Sequence, residues 1–289
     1  MQQQLLAKAD ELILKKNSIM TKLNVTTFKN GFASTAIDPL DRAFLYGDGL
    51  FTSVRVHDGQ PCLWRHHLYR LQQGAQRLSL DVDFKQLELD ALQKSALLGQ
   101  GILKIIISRG NGERGYLPPN QPAVVYSQLF QQLNNSDELV KLPIESGMLT
   151  GQLGQVMPQL AGLKTLNRLE QVILRQELAT HDWVEGLVCD VNGFVVEGVY
   201  SNGFIQVDGQ WWTPPIYCSG ILGVMRAELV ERMQAQDIPL QFHTLHREEI
   251  GRIEALFFCN ALTQIVPVNK LCGQILNVSA VTTLANLLF

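Results

Sequence analysis

Four Asx-Gly dipeptides, Asn30-Gly31, Asp58-Gly59, Asn192-Gly193 and Asp208-Gly209, interrupt short runs of alternating or β-branched residues. A two-residue turn of this composition tolerates left-handed backbone, and its twist matches that of two adjoining antiparallel strands. The dipeptides therefore predict a hairpin after Lys22 to Phe28 and a second from Phe51 to Val56 into Pro61 to Trp64. A third spans Gly186 to Val199, and a fourth joins Phe204 to Val207 with Gln210 to Thr213. Between them, apolar residues recur at helical spacing over His66 to Leu80, Asp83 to Leu98 and Asn167 to Ala179, the last with Asn167 and Glu170 in capping-box spacing. Two glycines after Ser219 lead into a further helix ending near Gln236. Ile102 to Ser108, Ala123 to Leu129, Leu240 to Leu245, Ala255 to Cys259 and Gln264 to Val268 read as strands. This order lacks the regular strand–helix alternation of a doubly wound sheet, so the fold class is α+β.

A chain of 289 residues has room for two cores. The polar stretch 131–138 is the expected linker, with a smaller α+β domain over 20–130 and a larger one over 139–289. Residues 1–19 have helical spacing and are expected to form an extension helix. Lys plus Arg number 24 against 27 for Asp plus Glu, which provides no basic excess for a phosphate backbone, so nucleic acid is not an expected partner. No apolar run reaches membrane-spanning length and no secretory pattern opens the chain; a cytoplasmic protein that does not enter membranes is expected. The five cysteines are widely spaced without a C-x-x-C pair, and read as reduced and mostly as core hydrophobes.

Gly110, Gly112 and Gly115 spell G-x-G-x-x-G after a strand, but Pro118, Pro119 and Pro122 forbid the helix whose N-terminus a dinucleotide would need. What remains is a loop carrying Arg109 and Arg114, either exposed surface or a means of reaching an anion. His243, His246, Glu248 and Glu249 lack metal-site spacing, and no metal is expected. Lys164, between Gly162 and a helix start, is either solvated or an amine that loses its proton in a desolvated pocket before attacking an aldehyde. Glu197 falls in an apolar row with Val195 and Val199, as an edge carboxylate or as one that keeps a pyridine nitrogen protonated. The small residues from Ser219 to Gly223 open a helix with free N–H groups, which suits a phosphate or close packing.

Together these segments resemble the class IV aminotransferase-like, pyridoxal-phosphate-dependent family over roughly Asn24 to Pro267. The resemblance is carried by Asp41-Arg42-Ala43, Tyr46-Gly47-Asp48-Gly49-Leu50-Phe51-Thr52 and His67-Leu68-Tyr69-Arg70-Leu71. It continues through Lys104 to Gly110, Arg114-Gly115-Tyr116, Ala161 to Gln171, Glu197, Leu222 to Arg226, and Cys259-Asn260-Ala261-Leu262. It implies a two-domain fold, a homodimer and pyridoxal 5'-phosphate as cofactor. Lys164 would carry that cofactor and shuttle the proton, and Glu197 would pair with the pyridine nitrogen. Arg70, with the backbone amides of Val224 and Met225 and with Gly223, Asn260 and Ala261, would hold the phosphate. The segments S-R-G-x-G-x-R-G-Y and L-x-R-L-E-Q resemble the lyase branch, which implies conversion of 4-amino-4-deoxychorismate to 4-aminobenzoate and pyruvate on the way to folate. Arg109, Thr52 and Arg114 would then meet that small-molecule substrate, Arg109 first because a guanidinium pairs bidentately with a carboxylate. The alternative within the family is an aminotransferase acting on D- or branched-chain amino acids.

Overall fold

The computed structural model describes residues 25–34, 36–131 and 138–289, so the expected N-terminal helix and most of the expected linker lie outside the described residues. The first half contains β1 (Val25–Lys29), β2 (Phe32–Ala33), α1 (Arg42–Tyr46), β3 (Gly49–His57), β4 (Gln60–Pro61), α2 (Trp64–Leu78), α3 (Phe84–Leu98), β5 (Gly101–Ser108) and β6 (Val124–Phe130). Its strands form one antiparallel sheet in the order β2-β1-β6-β5-β3-β4. Alternation along β3 and β5 sends Leu50, Val54, Leu103 and Ile105 to one face, where they pack with Leu71 and Ala75 of α2. A Cβ on Gly74 would lie 2.6 Å from the Leu50 side chain, so glycine there lets α2 lie close on β3.

The second half contains β7 (Ile144–Ser146), β8 (Met148–Leu153), α4 (Leu169–Leu178), β9 (Leu187–Asp190), β10 (Val195–Gly198), β11 (Asn202–Val207), β12 (Gln210–Thr213), α5 (Val224–Ala235), β13 (Leu240–Phe242), a 3₁₀ turn (Arg247–Arg252), β14 (Ala255–Asn260), β15 (Gln264–Leu271), β16 (Gln274–Ile275) and α6 (Val278–Leu288). Seven strands follow β13-β12-β11-β14-β15-β16, with β7 also paired to β15, and a second sheet runs β10-β9-β8. One face of the larger sheet packs Phe204 and Phe257 against Met225, Leu229 and Leu284 of α5 and α6. Its other face meets the small sheet through Ile205, Leu256 and Phe258 against Leu187 and Val195. Both sheet and helix content match the α+β expectation.

Several local expectations are corrected. The capping box at Asn167 does not form: Asn167 donates to the Gly47 carbonyl (3.3 Å), Glu170 accepts the Gly154 N–H (2.9 Å), and α4 begins at Leu169 with no side-chain cap. Only Cys189 and Cys259 are fully buried, while Cys218 and Cys272 are exposed. His246 caps the 3₁₀ turn in a capping box with Glu249, and His243 packs edge-on to Trp212. No helix among the described residues is long and apolar enough to cross a membrane.

The two halves meet where α2 lies beside α5. His66 Nε2 is 2.8 Å from Glu228 Oε2, and Arg65 pairs with Glu231. Arg232 holds the other oxygen of Glu228 (2.5 Å), so this His66–Glu228–Glu231 cluster is a charge-balanced tie between helices.

Candidate active site

The loop Leu163 to Asn167 crosses β3 as if it were one more strand. Phe51 N–H donates to the Lys164 carbonyl (3.0 Å), Leu166 N–H donates to the Gly49 carbonyl (3.1 Å), and Leu50 bridges Thr165. This stitching fixes the lysine against the first-half sheet. A cavity of about 410 Å³ opens above it, between the two halves, with Phe51 and Ser53 of β3 as its floor.

Lys164, Arg70, Glu197, Gly223, Val224, Asn260 and Ala261 all line this cavity. Burial of the Lys164 amine, with Arg70, Arg168 and Lys104 nearby, lowers its pKa to about 7; Glu197 opposes the shift. The amine also lies 4.5 Å from the centre of the Phe51 ring. Glu197 is buried and its Oε2 accepts the Ile221 N–H (2.9 Å) and Asn202 Nδ2 (3.3 Å), yet burial raises its carboxyl pKa to about 7. The expected alternation around Glu197 is broken by a bulge between Val195 and Glu197. Val195 packs into the inter-sheet core, whereas Glu197 and Val199 face the cavity.

Gly223 precedes α5 and donates its N–H to Asn202 Oδ1 (3.1 Å), the same atom that a Cβ at this position would strike. With no side-chain cap, the first-turn N–H groups of α5 are left for an anion. Asn260 Oδ1 accepts from Leu262 N and Thr263 N (2.8 Å each), which folds 260–263 into a turn on the cavity wall. Arg70 has no carboxylate within ion-pairing distance among the described residues; its Nε is buried without a partner, and burial lowers its pKa to about 10. The Thr263 hydroxyl is likewise buried and unpartnered. An uncapped helix start, an unpaired buried cation and an orphaned hydroxyl suit a phosphate. A lysine deprotonated near neutrality and a buried carboxylate suit an aldehyde on a pyridine ring. The residues present therefore fit pyridoxal phosphate.

Three expected contacts lie elsewhere. Arg109 Nε bonds Asp48 (2.8 Å), Nη1 the Ser79 carbonyl (2.9 Å) and Nη2 the Leu78 carbonyl (2.7 Å), so all three nitrogens brace the first half of the chain, and Arg109 is not among the cavity-lining residues. Arg114 is exposed on its loop and outside the cavity lining. Thr52 points away from Phe51 and Ser53, beneath Arg70: it accepts from Arg70 Nη2 and lies 2.6 Å from His67 Nδ1. The Met225 side chain packs in the core, and its backbone N–H, the group expected at the phosphate, lies in the first turn of α5. The lining also includes Arg168, Gln171, Tyr200 and Thr263. Arg168 and Gln171 belong to the L-x-R-L-E-Q segment; no pattern in the sequence singles out the other two.

The pattern described as Amino-transferase class IV matches residues 49–271. The chain belongs to that family. Among class IV relatives, a 4-amino-4-deoxychorismate lyase structure from Pseudomonas aeruginosa superposes with a TM-score of 0.82 at 34% identity, covering 90% of this chain and 97% of that one. An aminodeoxychorismate lyase of Vibrio harveyi is 29% identical, over 83% of this chain and 89% of its own length. A putative branched-chain-amino-acid aminotransferase of Methanocaldococcus jannaschii is 25% identical, with coverage of 83% and 84%. The class IV match begins at the first residue of β3 and ends at the last of β15, so it spans every cavity-lining residue named above.

Proposed function

We propose that the protein is a pyridoxal-phosphate-dependent lyase that converts 4-amino-4-deoxychorismate to 4-aminobenzoate and pyruvate. The observation that carries this reading is the placement of Lys164 and Glu197 on one cavity beside Arg70 and the uncapped start of α5. The lyase relatives, at 34% and 29% identity, support elimination over transamination. Pyridoxal phosphate, when bound, supplies an aldehyde that captures the substrate amine and a ring that stores the electrons released on deprotonation. Lys164, neutral near pH 7, can take the proton from the carbon bearing that amine. Glu197 holds a proton at the pyridine nitrogen, and Arg70 with the Val224 and Met225 N–H groups anchors the phosphate. Loss of the enolpyruvyl group as pyruvate then leaves an aromatic ring, with no water or acceptor consumed.

The test is to supply 4-amino-4-deoxychorismate alone, without any 2-oxo acid. Equal amounts of 4-aminobenzoate and pyruvate over many turnovers are expected. Arrest after one turnover, relieved by 2-oxoglutarate or pyruvate, would identify instead an aminotransferase of the kind found among the relatives.

A further inference from the structure

With Arg109 committed to Asp48 and two carbonyls, the substrate carboxylates need another cation. The cavity is lined by three among the described residues, Lys164, Arg70 and Arg168, against the single carboxylate Glu197. Lys164 and Arg70 are taken up by the cofactor in the reading above. Arg168 is left. It lines the main cavity and also a second one of about 450 Å³ across the lysine loop, so its side chain stands where the two spaces meet. Its Nη2 donates to Thr165 Oγ1 (2.8 Å), which steadies the guanidinium, while its Nε is buried without a hydrogen-bond partner. No carboxylate lies within ion-pairing distance of it among the described residues, and burial lowers its pKa against the more distant pull of Glu197 and Glu170. A desolvated guanidinium with an unspent donor is a costly arrangement that an anionic ligand would relieve.

We infer that Arg168 is the receptor for the ring carboxylate of the substrate. The inference rests on the lyase reading for the identity of that substrate. Lys164 and Arg168 lie four residues apart on one loop that is stitched to β3, so the amine and the guanidinium form a fixed pair. The ring of 4-amino-4-deoxychorismate holds its amine and its ring carboxylate at opposite ends, so a receptor for the carboxylate must be a second fixed group. The second carboxylate departs with pyruvate, whereas the ring carboxylate is present from substrate to product, so a fixed receptor can serve it throughout. Arg168 is thus a specificity residue for an anionic cyclic amine, and it separates this substrate class from neutral amines of the same shape.

The experiment compares 4-aminobenzoate with its neutral isostere 4-aminobenzamide on the cofactor-loaded enzyme. The wild type is expected to favour the acid by about 10–100-fold, the range of one charge-assisted pair. Arg168→Gln should bind both alike and raise KM for 4-amino-4-deoxychorismate by a similar factor, and Arg168→Lys should recover part of the preference. Cofactor affinity, read from the absorbance of the bound chromophore, should not change. An acid preference that survives in Arg168→Gln overturns the inference, as does a fall in its cofactor affinity that tracks KM. A wild-type enzyme that makes no 4-aminobenzoate defeats the lyase reading instead, and the acid–amide comparison still decides the role of Arg168.

Discussion

At Lys164 two opposing influences set the chemistry: burial and three neighbouring cations lower the amine pKa to about 7, while Glu197 raises it. Only the neutral amine attacks an aldehyde, so capture of pyridoxal phosphate by the cofactor-free protein should accelerate as pH rises to about 7 and level off above it. Stopped-flow absorbance against pH measures this, and an inflection near the usual lysine value would contradict the account. Glu197→Gln removes the one influence that raises the pKa and should move the inflection lower. Beneath Arg70 the hydrogen bonds have a fixed direction. Arg70 Nη2 donates to Thr52 Oγ1, so the threonine proton goes to His67 Nδ1, and burial holds that imidazole well below its ordinary pKa. Thr52→Val should weaken pyridoxal phosphate binding by about 10-fold while leaving unphosphorylated pyridoxal unaffected, and Thr52→Ser should behave as wild type. Equal losses for both ligands in a binding titration would mean that Thr52 does not act through Arg70.

At the level of elements, the hairpins are the most legible feature and the glycine-rich strand the least. Asn30, Asp58 and Asp208 all have left-handed φ, as their turns require. Asn192 does not; its turn is held instead by Asp190 Oδ1, which accepts from Asn192 N (2.9 Å) and Phe194 N (3.0 Å). β8, with Gly151 between Gly147 and Gly154, is not among the strands expected from the sequence, yet Glu177 of α4 holds it by accepting from Thr150 N (2.6 Å) and Gly151 N (2.9 Å). A tertiary contact across more than twenty residues leaves no trace in local pattern. Glu185 is a similar case. Its buried carboxylate accepts from Val199 N (2.8 Å), Gly186 N (3.1 Å) and Tyr200 N (3.4 Å), and so shapes the cavity wall between β10 and β11. Glu185→Leu strands these donors and should cost about 3 kcal/mol of stability in urea unfolding, against a smaller loss for Glu185→Gln. Burial raises the Glu185 pKa to about 7, so the folded chain keeps a proton that the unfolded chain releases near 4.5. Its contribution is therefore greatest below pH 4.5 and is lost as pH rises to about 7. The stability of wild type relative to Glu185→Gln should fall across that window, and a difference that rises or stays flat would refute the assignment.

At the scale of the whole molecule, the cavity residues legible in the sequence were those whose chemistry is unusual for their position: a lysine at a helix entrance, a glutamate in an apolar strand, glycines before a helix. Arg109, expected at the substrate, is held instead by Asp48, Leu78 and Ser79, partners 61, 31 and 30 residues away that local pattern does not reveal. The same loop bears on assembly. Arg42 of α1 donates to the Gly115 (2.9 Å) and Tyr116 (3.1 Å) carbonyls, and the rings of Tyr46 and Tyr116 lie 5.7 Å apart, so the loop is fastened to α1. Phe44 of α1 is 70% exposed, and Tyr116 and Leu117 of the fastened loop are 86% and 88% exposed. A held loop and a short helix that together show three large apolar side chains to water are poorly explained by a monomer, and a second copy of the chain is the occupant that the family resemblance implies. Light scattering should give about twice the 32.3 kDa chain mass. Phe44→Asp combined with Leu117→Asp should shift the protein to the monomer without changing its far-ultraviolet circular dichroism, since neither side chain enters a core. A wild-type protein that runs as a monomer at assay concentration, or a double variant that remains a dimer, would remove these side chains from the interface.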